Sequence, residues 1–153
     1  MDRIESFKIN HIKLERGVYI SRVDGDVVTY DIRMKKPNGG DYLENGELHT
    51  IEHLFATYVR NSNFSDKVIY FGPMGCRTGF YFLVRDAVSK TEALDIIIET
   101  FKFIADFSGV VPGCSEIECG NYLEHDLTGA KNEAKEMLEV LKEWNTEKMK
   151  YAE

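Results

Sequence analysis

The sequence predicts an α+β protein, an antiparallel β-sheet packed against helices in a single-domain sandwich over residues 1–153. Three observations predict it. Residues 18–23 and 27–34 are β-rich runs on either side of Asp24-Gly25-Asp26, a hairpin signature. Two more such runs, 67–71 and 80–84, flank the glycine-lined stretch 72–79. Between and after them lie stretches whose apolar residues recur at three- and four-residue steps, the helical period. A length of 153 residues supports one core and not two, and 43% hydrophobic with 29% charged residues is the composition of an ordinary globular chain.

Taken in order, residues 1–16 mix charged and apolar groups without a period and form an irregular arm carrying Ser6, Asn10 and His11. The first hairpin follows, closed by Pro37-Asn38-Gly39-Gly40. Asn45 and Gly46 mark a break. Leu48, Ile51, Leu54, Phe55 and Tyr58 then predict a helix running to about Asn61. Cys76 lies in the turn between the second pair of strands. Residues 89–107 predict a long, mostly buried helix, with Ser89 as N-cap and Glu92 at the capping-box position. Gly109 to Gly113 interrupts the chain, and a short segment carries Cys114, Glu116, Glu118 and Cys119. The last helix spans residues 127–144, with Asp126 as N-cap and its lysines and glutamates on a solvated face.

Composition removes several classes of function. A net charge of −7 and the lack of any basic stripe argue against nucleic acid as a partner. The stretch Met1-Asp2-Arg3-Ile4-Glu5 has neither the apolar core nor the cleavage site of a secretory signal. The most apolar run, 94–107, is broken by Asp95, Glu99, Lys102 and Asp106, so no membrane span is expected. Three cysteines without framework spacing point to free thiols and a cytoplasmic location.

The stretch that carries chemistry is His49-Thr50-Ile51-Glu52-His53. Histidines four apart on a helix lie on one face, so both imidazoles reach one metal ion, and Glu52 projects beside them. A helix with two incidental histidines is the plainer reading of either alone; the pair enclosing a carboxylate favours a metal site. A catalytic centre needs a third protein ligand and an open position. Cys76, Cys114, Cys119, His125 and the glutamates near residue 116 are candidates, and spacing does not choose among them. Cys114, in Gly-Cys-Ser, has the weakest case, and His125 reads as a capping or surface residue. Cys76 sits beside Arg77, a cation that favours thiolate, although a turn cysteine without a role is the simpler reading in isolation.

These residues, with the run Gly72 to Tyr81, Glu118-Cys119-Gly120, His125-Asp126-Leu127 and Ala130-Lys131, closely resemble the S-ribosylhomocysteine lyase (LuxS) family. The resemblance spans nearly the whole chain, from Ser6-Phe7 and His11 through Tyr30-Asp31-Ile32-Arg33 to Lys131. It implies an enzyme that releases homocysteine from S-ribosylhomocysteine and forms the autoinducer-2 precursor, serving quorum sensing or the activated methyl cycle. It implies His49, His53 and Cys119 as ligands of one divalent metal per subunit, natively Fe(II), with Zn or Co as alternatives. Cys76 would be the general base, Glu52 the second acid/base, and Arg33 a neighbour of Cys76 and substrate. Ser6 and His11 would come from the partner subunit of a homodimer with its sites at the interface. Such a reaction passes through enediolates, whose charge a Lewis acid stabilises, and needs proton carriers tuned near working pH. One departure stands out: many family members carry an aspartate six residues before Cys76, and this chain has Tyr70.

Two other classes compete. An HxxEH metallopeptidase would use Glu52 as base, take a glutamate as third ligand and have no use for Cys76. A structural metal domain would close the site with a fourth protein ligand such as Cys114 or His125.

Overall fold

The computed structural model covers residues 1–153. Its strands are β1 (Gly17–Asp24), β2 (Val27–Arg33), β3 (Val68–Pro73) and β4 (Gly79–Arg85). They form one antiparallel sheet in the order β1-β2-β4-β3, so the two hairpins join along β2 and β4. The helices are α1 (Glu5–Lys8), α2 (Asn45–Arg60), α3 (Lys90–Asp106) and α4 (Leu127–Leu141). The α+β architecture with an antiparallel sheet is the expected one. No helix is long and apolar enough to cross a membrane.

Alternation along the strands decides which side chains meet the helices. Val28, Tyr30 and Ile32 of β2 pair with Val84, Phe82 and Phe80 of β4, and all six are buried in one core cluster with α2, α3 and α4. At its centre Phe55 of α2 stacks on Phe71 at 3.9 Å and meets Phe82 and Phe101 edge-on. The other face of β2 carries Thr29, Asp31 and Arg33, which are buried as well. Tyr19 and Tyr81 flank Asp31 on the neighbouring strands, and Tyr151 stacks on Tyr19. The central strand is therefore covered on both sides, and its second face holds an ion pair.

Local signals account for most element ends. The Ser89 hydroxyl accepts from the Glu92 N–H, and Glu92 accepts from the Ser89 N–H, the reciprocal box expected at the start of α3. Asp126 caps α4 by accepting from the Gly129 N–H. Two boundaries differ from expectation. Asn45 and Gly46 form the first turn of α2 instead of a break, because Glu47 reaches back to accept from the Glu44 N–H at 2.8 Å. Helix α4 stops at Leu141 rather than Trp144. The chain turns there to lay the Trp144 ring against Tyr19, with its indole N–H donating to the Val18 carbonyl at 2.8 Å. The N-terminal arm is irregular apart from the single turn of α1.

Phe55 is fully buried among three other aromatic rings, so Phe55→Ala leaves a cavity that the sheet and helices cannot both close. The expected loss is about 3–5 kcal/mol of unfolding free energy, read from urea denaturation.

Candidate active site

Helix α2 presents His49 and His53 on one face, and their rings meet edge-on at 4.6 Å between centroids. Each Nδ1 lies on a backbone carbonyl: His49 on Glu124 at 2.8 Å and His53 on Pro112 at 2.9 Å. A carbonyl only accepts, so the proton of each neutral ring sits on Nδ1 and the Nε2 lone pair is free. Both Nε2 atoms face the Cys119 sulfur, at 3.4 and 4.0 Å. Donors sharing a tetrahedral ion with metal–sulfur and metal–nitrogen bonds of about 2.3 and 2.0 Å lie about 3.5 Å apart. The spacing and the soft donor set fit a divalent transition metal.

Cys119 is the sulfur that the fold brings to the histidine pair. Its loop is tied by Ser115, whose carbonyl accepts from the Cys119 N–H at 3.0 Å and whose hydroxyl donates to Glu118 at 2.7 Å. The Asn121 N–H points at the sulfur from 3.5 Å. Cys76, Cys114 and the nearby glutamates are not in the donor group.

His125 is in it, contrary to its reading as a capping or surface residue. The donor atoms of His49, His53, Cys119 and His125 lie within 4.8 Å of one another, and the His125 ring stacks on His49 at 3.9 Å. Thr50 explains its placement. The Thr50 hydroxyl donates to the Gly46 carbonyl at 2.9 Å, so its lone pairs face the Asp126 N–H at 2.9 Å and His125 Nδ1 at 3.0 Å. That leaves the His125 proton on Nδ1 and its Nε2, buried and without a hydrogen-bond partner, as a lone-pair donor. The sequence keeps His125 among the candidate ligands, but its place next to the N-cap of α4 gives no hint of the α2 contact. Burial, and the charge of His49 and His53, push His125 down from its ordinary 6.5 to about 4.

Glycine makes two of these approaches possible. A side chain on Gly46 would press on Asp126 at 3.3 Å, where α2 meets the start of α4. Gly113 has φ +73°, and a Cβ there would stand 3.2 Å from His53 Nδ1. Glu52 and His53 line one side of a cavity of about 390 Å³ that also touches Arg60, Tyr70 and Gly113. Tyr70, the departure from the family pattern, is half exposed there, with its hydroxyl lying over Gly72.

Cys76 lines a different cavity, of about 430 Å³, together with Ser6, His11, Arg33 and Tyr42 of the same chain. Ser6 and His11 thus lie beside their own chain's Cys76 and away from its metal donors. The thiol is exposed at the tip of the β3–β4 turn, where Arg77 takes a left-handed conformation with φ 61°. That geometry, uncommon for a side-chain-bearing residue, is held by Leu43, whose N–H donates to the Arg77 carbonyl at 2.9 Å. The Arg77 guanidinium turns back to the Leu43 carbonyl and the Tyr42 ring. The buried cation behind the thiol is instead Arg33, 2% exposed, whose Nη1 donates to the Thr78 hydroxyl. Its other side makes a two-point bond to Asp31, through Nε at 3.1 Å and Nη2 at 2.6 Å. Burial opposes the charge on Arg33, but Asp31 outweighs it and holds the guanidinium protonated.

An antiparallel α+β sandwich carrying three histidines and a cysteine sulfur grouped between a helix and a loop, with a second thiol before a buried arginine, is the framework of a candidate mononuclear metal site. A family model for S-ribosylhomocysteinase (LuxS) matches residues 4–148. Curated proteins called S-ribosylhomocysteine lyase are similar over nearly their whole length. One from Porphyromonas gingivalis is 52% identical, with 99% of each chain covered, and one from Phocaeicola vulgatus is 50% identical, covering 99% of this chain and 98% of its own. A Clostridium acetobutylicum relative is 44% identical over the full length of both. The chain belongs to the S-ribosylhomocysteinase (LuxS) family. The metallopeptidase reading finds no support, since the donor completing the histidine pair is a sulfur and no carboxylate joins the group.

Replacing Cys119 with alanine is expected to weaken metal binding by more than the roughly 10–100-fold typical of losing an outer hydrogen-bond partner. Cys114→Ala is expected to leave metal content unchanged; both are read by elemental analysis after dialysis against a chelator. The metal-free protein carries a second expectation. His125 binds its proton near pH 4 when folded and near its ordinary 6.5 when unfolded, so between those values the unfolded chain holds the extra proton. Its contribution to stability is whole above about pH 6.5 and is lost as pH falls toward 4. The melting temperature of the metal-free protein should therefore fall more steeply over that interval than that of His125→Gln.

Proposed function

We propose that this chain is a carbon–sulfur lyase that cleaves S-ribosylhomocysteine to homocysteine and 4,5-dihydroxy-2,3-pentanedione. The observation that carries this reading is the division of labour between two sulfurs: Cys119 among the metal donors and Cys76 apart from them, backed by buried Arg33. Near full-length similarity to relatives bearing that name supports it.

His49, His53 and Cys119 would hold one divalent metal, Fe(II) natively with Zn or Co able to replace it. When bound, that ion supplies Lewis acidity toward the sugar oxygens. The proton work falls to the chain. Cys76 takes the proton from a carbon next to the carbonyl and returns it to the neighbouring carbon, which moves the carbonyl one place along the sugar; a second round moves it again. Glu52 exchanges protons with the hydroxyl oxygens from the metal side. In the elimination Glu52 takes the proton α to the carbonyl, and the C–S bond breaks with its electron pair on the homocysteine sulfur, which departs as thiolate. Arg33 keeps positive charge behind the thiolate, and Ser6 and His11 orient the sugar along the cavity wall.

Within one chain Cys76 lines a different cavity from Glu52 and His53, which favours a homodimer in which each site takes its metal half from one subunit and its thiol half from the other. Exposed Phe7 lines the cavity of Cys76 and exposed Tyr70 that of Glu52, and both supply apolar surface for such an interface. The enzyme would act as one domain in the cytoplasm on a small-molecule substrate, without nucleic acid or membrane, in autoinducer-2 synthesis or homocysteine recovery.

Pure protein mixed with S-ribosylhomocysteine should release homocysteine, measured with a thiol reagent, and Cys76→Ala should lower that rate by about 10²–10⁴-fold. Cys76→Ala and Cys119→Ala chains, each inactive alone, should regain activity once unfolded together and refolded as mixed dimers. Absence of release by the parent would end the functional reading, and absence of complementation would end the shared-site reading.

A further inference from the structure

Thr78 is 2% exposed and its hydroxyl has two polar neighbours: Arg33 Nη1 at 2.8 Å and the Cys76 sulfur at 3.1 Å. A guanidinium has only donors, so Thr78 must accept on that side. The hydroxyl's single proton is then free, and the sulfur is the acceptor in reach. If the thiol donated instead, the hydroxyl proton would be buried without a partner, which costs more than an exposed thiol left to water. The direction is set from further back. Arg33 is pinned at two points by Asp31, and the Tyr151 hydroxyl donates to the same carboxylate at 2.6 Å. Burial and the Asp31 charge hold Tyr151 in its protonated form, so it remains a donor.

We propose that Thr78 is a positioning residue that donates a fixed hydrogen bond to the Cys76 thiolate, with its donor sense imposed by the hydrogen-bonded chain Tyr151–Asp31–Arg33. A thiolate accepts far more strongly than a thiol, so the bond favours the ionised sulfur. The same contact fixes where the sulfur stands in the cavity. The significance of this sulfur for catalysis rests on the functional reading above, but the hydrogen bond does not.

The test is the rate at which iodoacetamide alkylates Cys76 in the metal-loaded protein without substrate, followed by peptide mass spectrometry so that Cys114 and Cys119 are counted apart. Thr78→Val keeps the shape and removes the donor. At pH 7 it should slow alkylation of Cys76 about tenfold, the worth of one hydrogen bond to a charged acceptor. At pH 10, where a cysteine is largely thiolate in any case, the rates should converge. Thr78→Ser should restore the pH 7 rate to within about threefold, and Tyr151→Phe, which touches neither Thr78 nor Cys76, should slow it about threefold. The other titratable groups on this cavity are His11, Arg33, Tyr42 and Tyr81, and all are retained in these variants.

An unchanged pH 7 rate in Thr78→Val would overturn the proposal. So would slowing that persists at pH 10, which would mark a change of access. If Thr78→Val does not fold, the Ser and Phe variants decide: failure of Tyr151→Phe to slow alkylation removes the chain behind Arg33, and with it the imposed direction. Slower alkylation with undiminished homocysteine release would leave the hydrogen bond standing and remove Cys76 from the chemistry.

Discussion

Both candidate clusters depend on polar groups withdrawn from water being given partners. The strongest instance is the two-point bond between Arg33 and Asp31 on the outward face of the central strand. Neither side chain is tolerable alone at that depth: removing one partner of a buried pair costs about 3–5 kcal/mol. The pair is therefore a constraint as much as a source of stability. It fixes the plane of the guanidinium, and only Nη1 is left to face the β3–β4 turn, where it meets Thr78. Tyr151, from beyond the last helix, completes the carboxylate and roofs the pair with Tyr19.

The histidine–cysteine cluster obeys the same rule with weaker groups. Two imidazole N–H groups on α2 need acceptors, and the segment between α3 and α4 supplies them as the carbonyls of Pro112 and Glu124. Those bonds fix the ring tautomers and also hold the two ends of the loop that carries Cys119. Thr50, one residue after His49, does a third job by receiving Asp126 and His125. One turn of helix thus organises a loop that lies more than fifty residues away in sequence. With all three imidazoles presenting lone pairs and a sulfur facing them, the cluster offers a donor set that could hold a cation.

The sheet explains why the two halves are coupled yet separate. Strands β2 and β4 send alternate side chains to the helical core and to the Arg33 layer, so packing on one face sets the register of charge on the other. Helix α2 packs on β3 from the core side, and the turn carrying Cys76 leaves β3 at its far end. The histidine–cysteine cluster and the thiol consequently belong to one framework, with His53 and Cys76 lining different cavities.

Much of this was legible in local signals. The Asp-Gly hairpin turn, the Ser89–Glu92 box, the Asp126 cap and the helical spacing of the two histidines each act over a few residues, and short-range chemistry is what a linear sequence displays. The family resemblance singled out Cys119 before any distance was known. What sequence alone left open or misplaced involved contacts between distant segments. His125 joins the donor group because Thr50 holds it from another helix. The resemblance had placed Arg33 beside Cys76, but nothing local showed that Arg77, next to the thiol in sequence, turns away, since a left-handed backbone at Arg77 and a carbonyl at Leu43 redirect it. Helix α4 ends early because Trp144 finds a strand to cover. Spacing along a chain fixes which side chains share a face; only the packed structure decides which of them are buried together, and burial is what turns proximity into a tautomer, a charge state or a direction of hydrogen bonding.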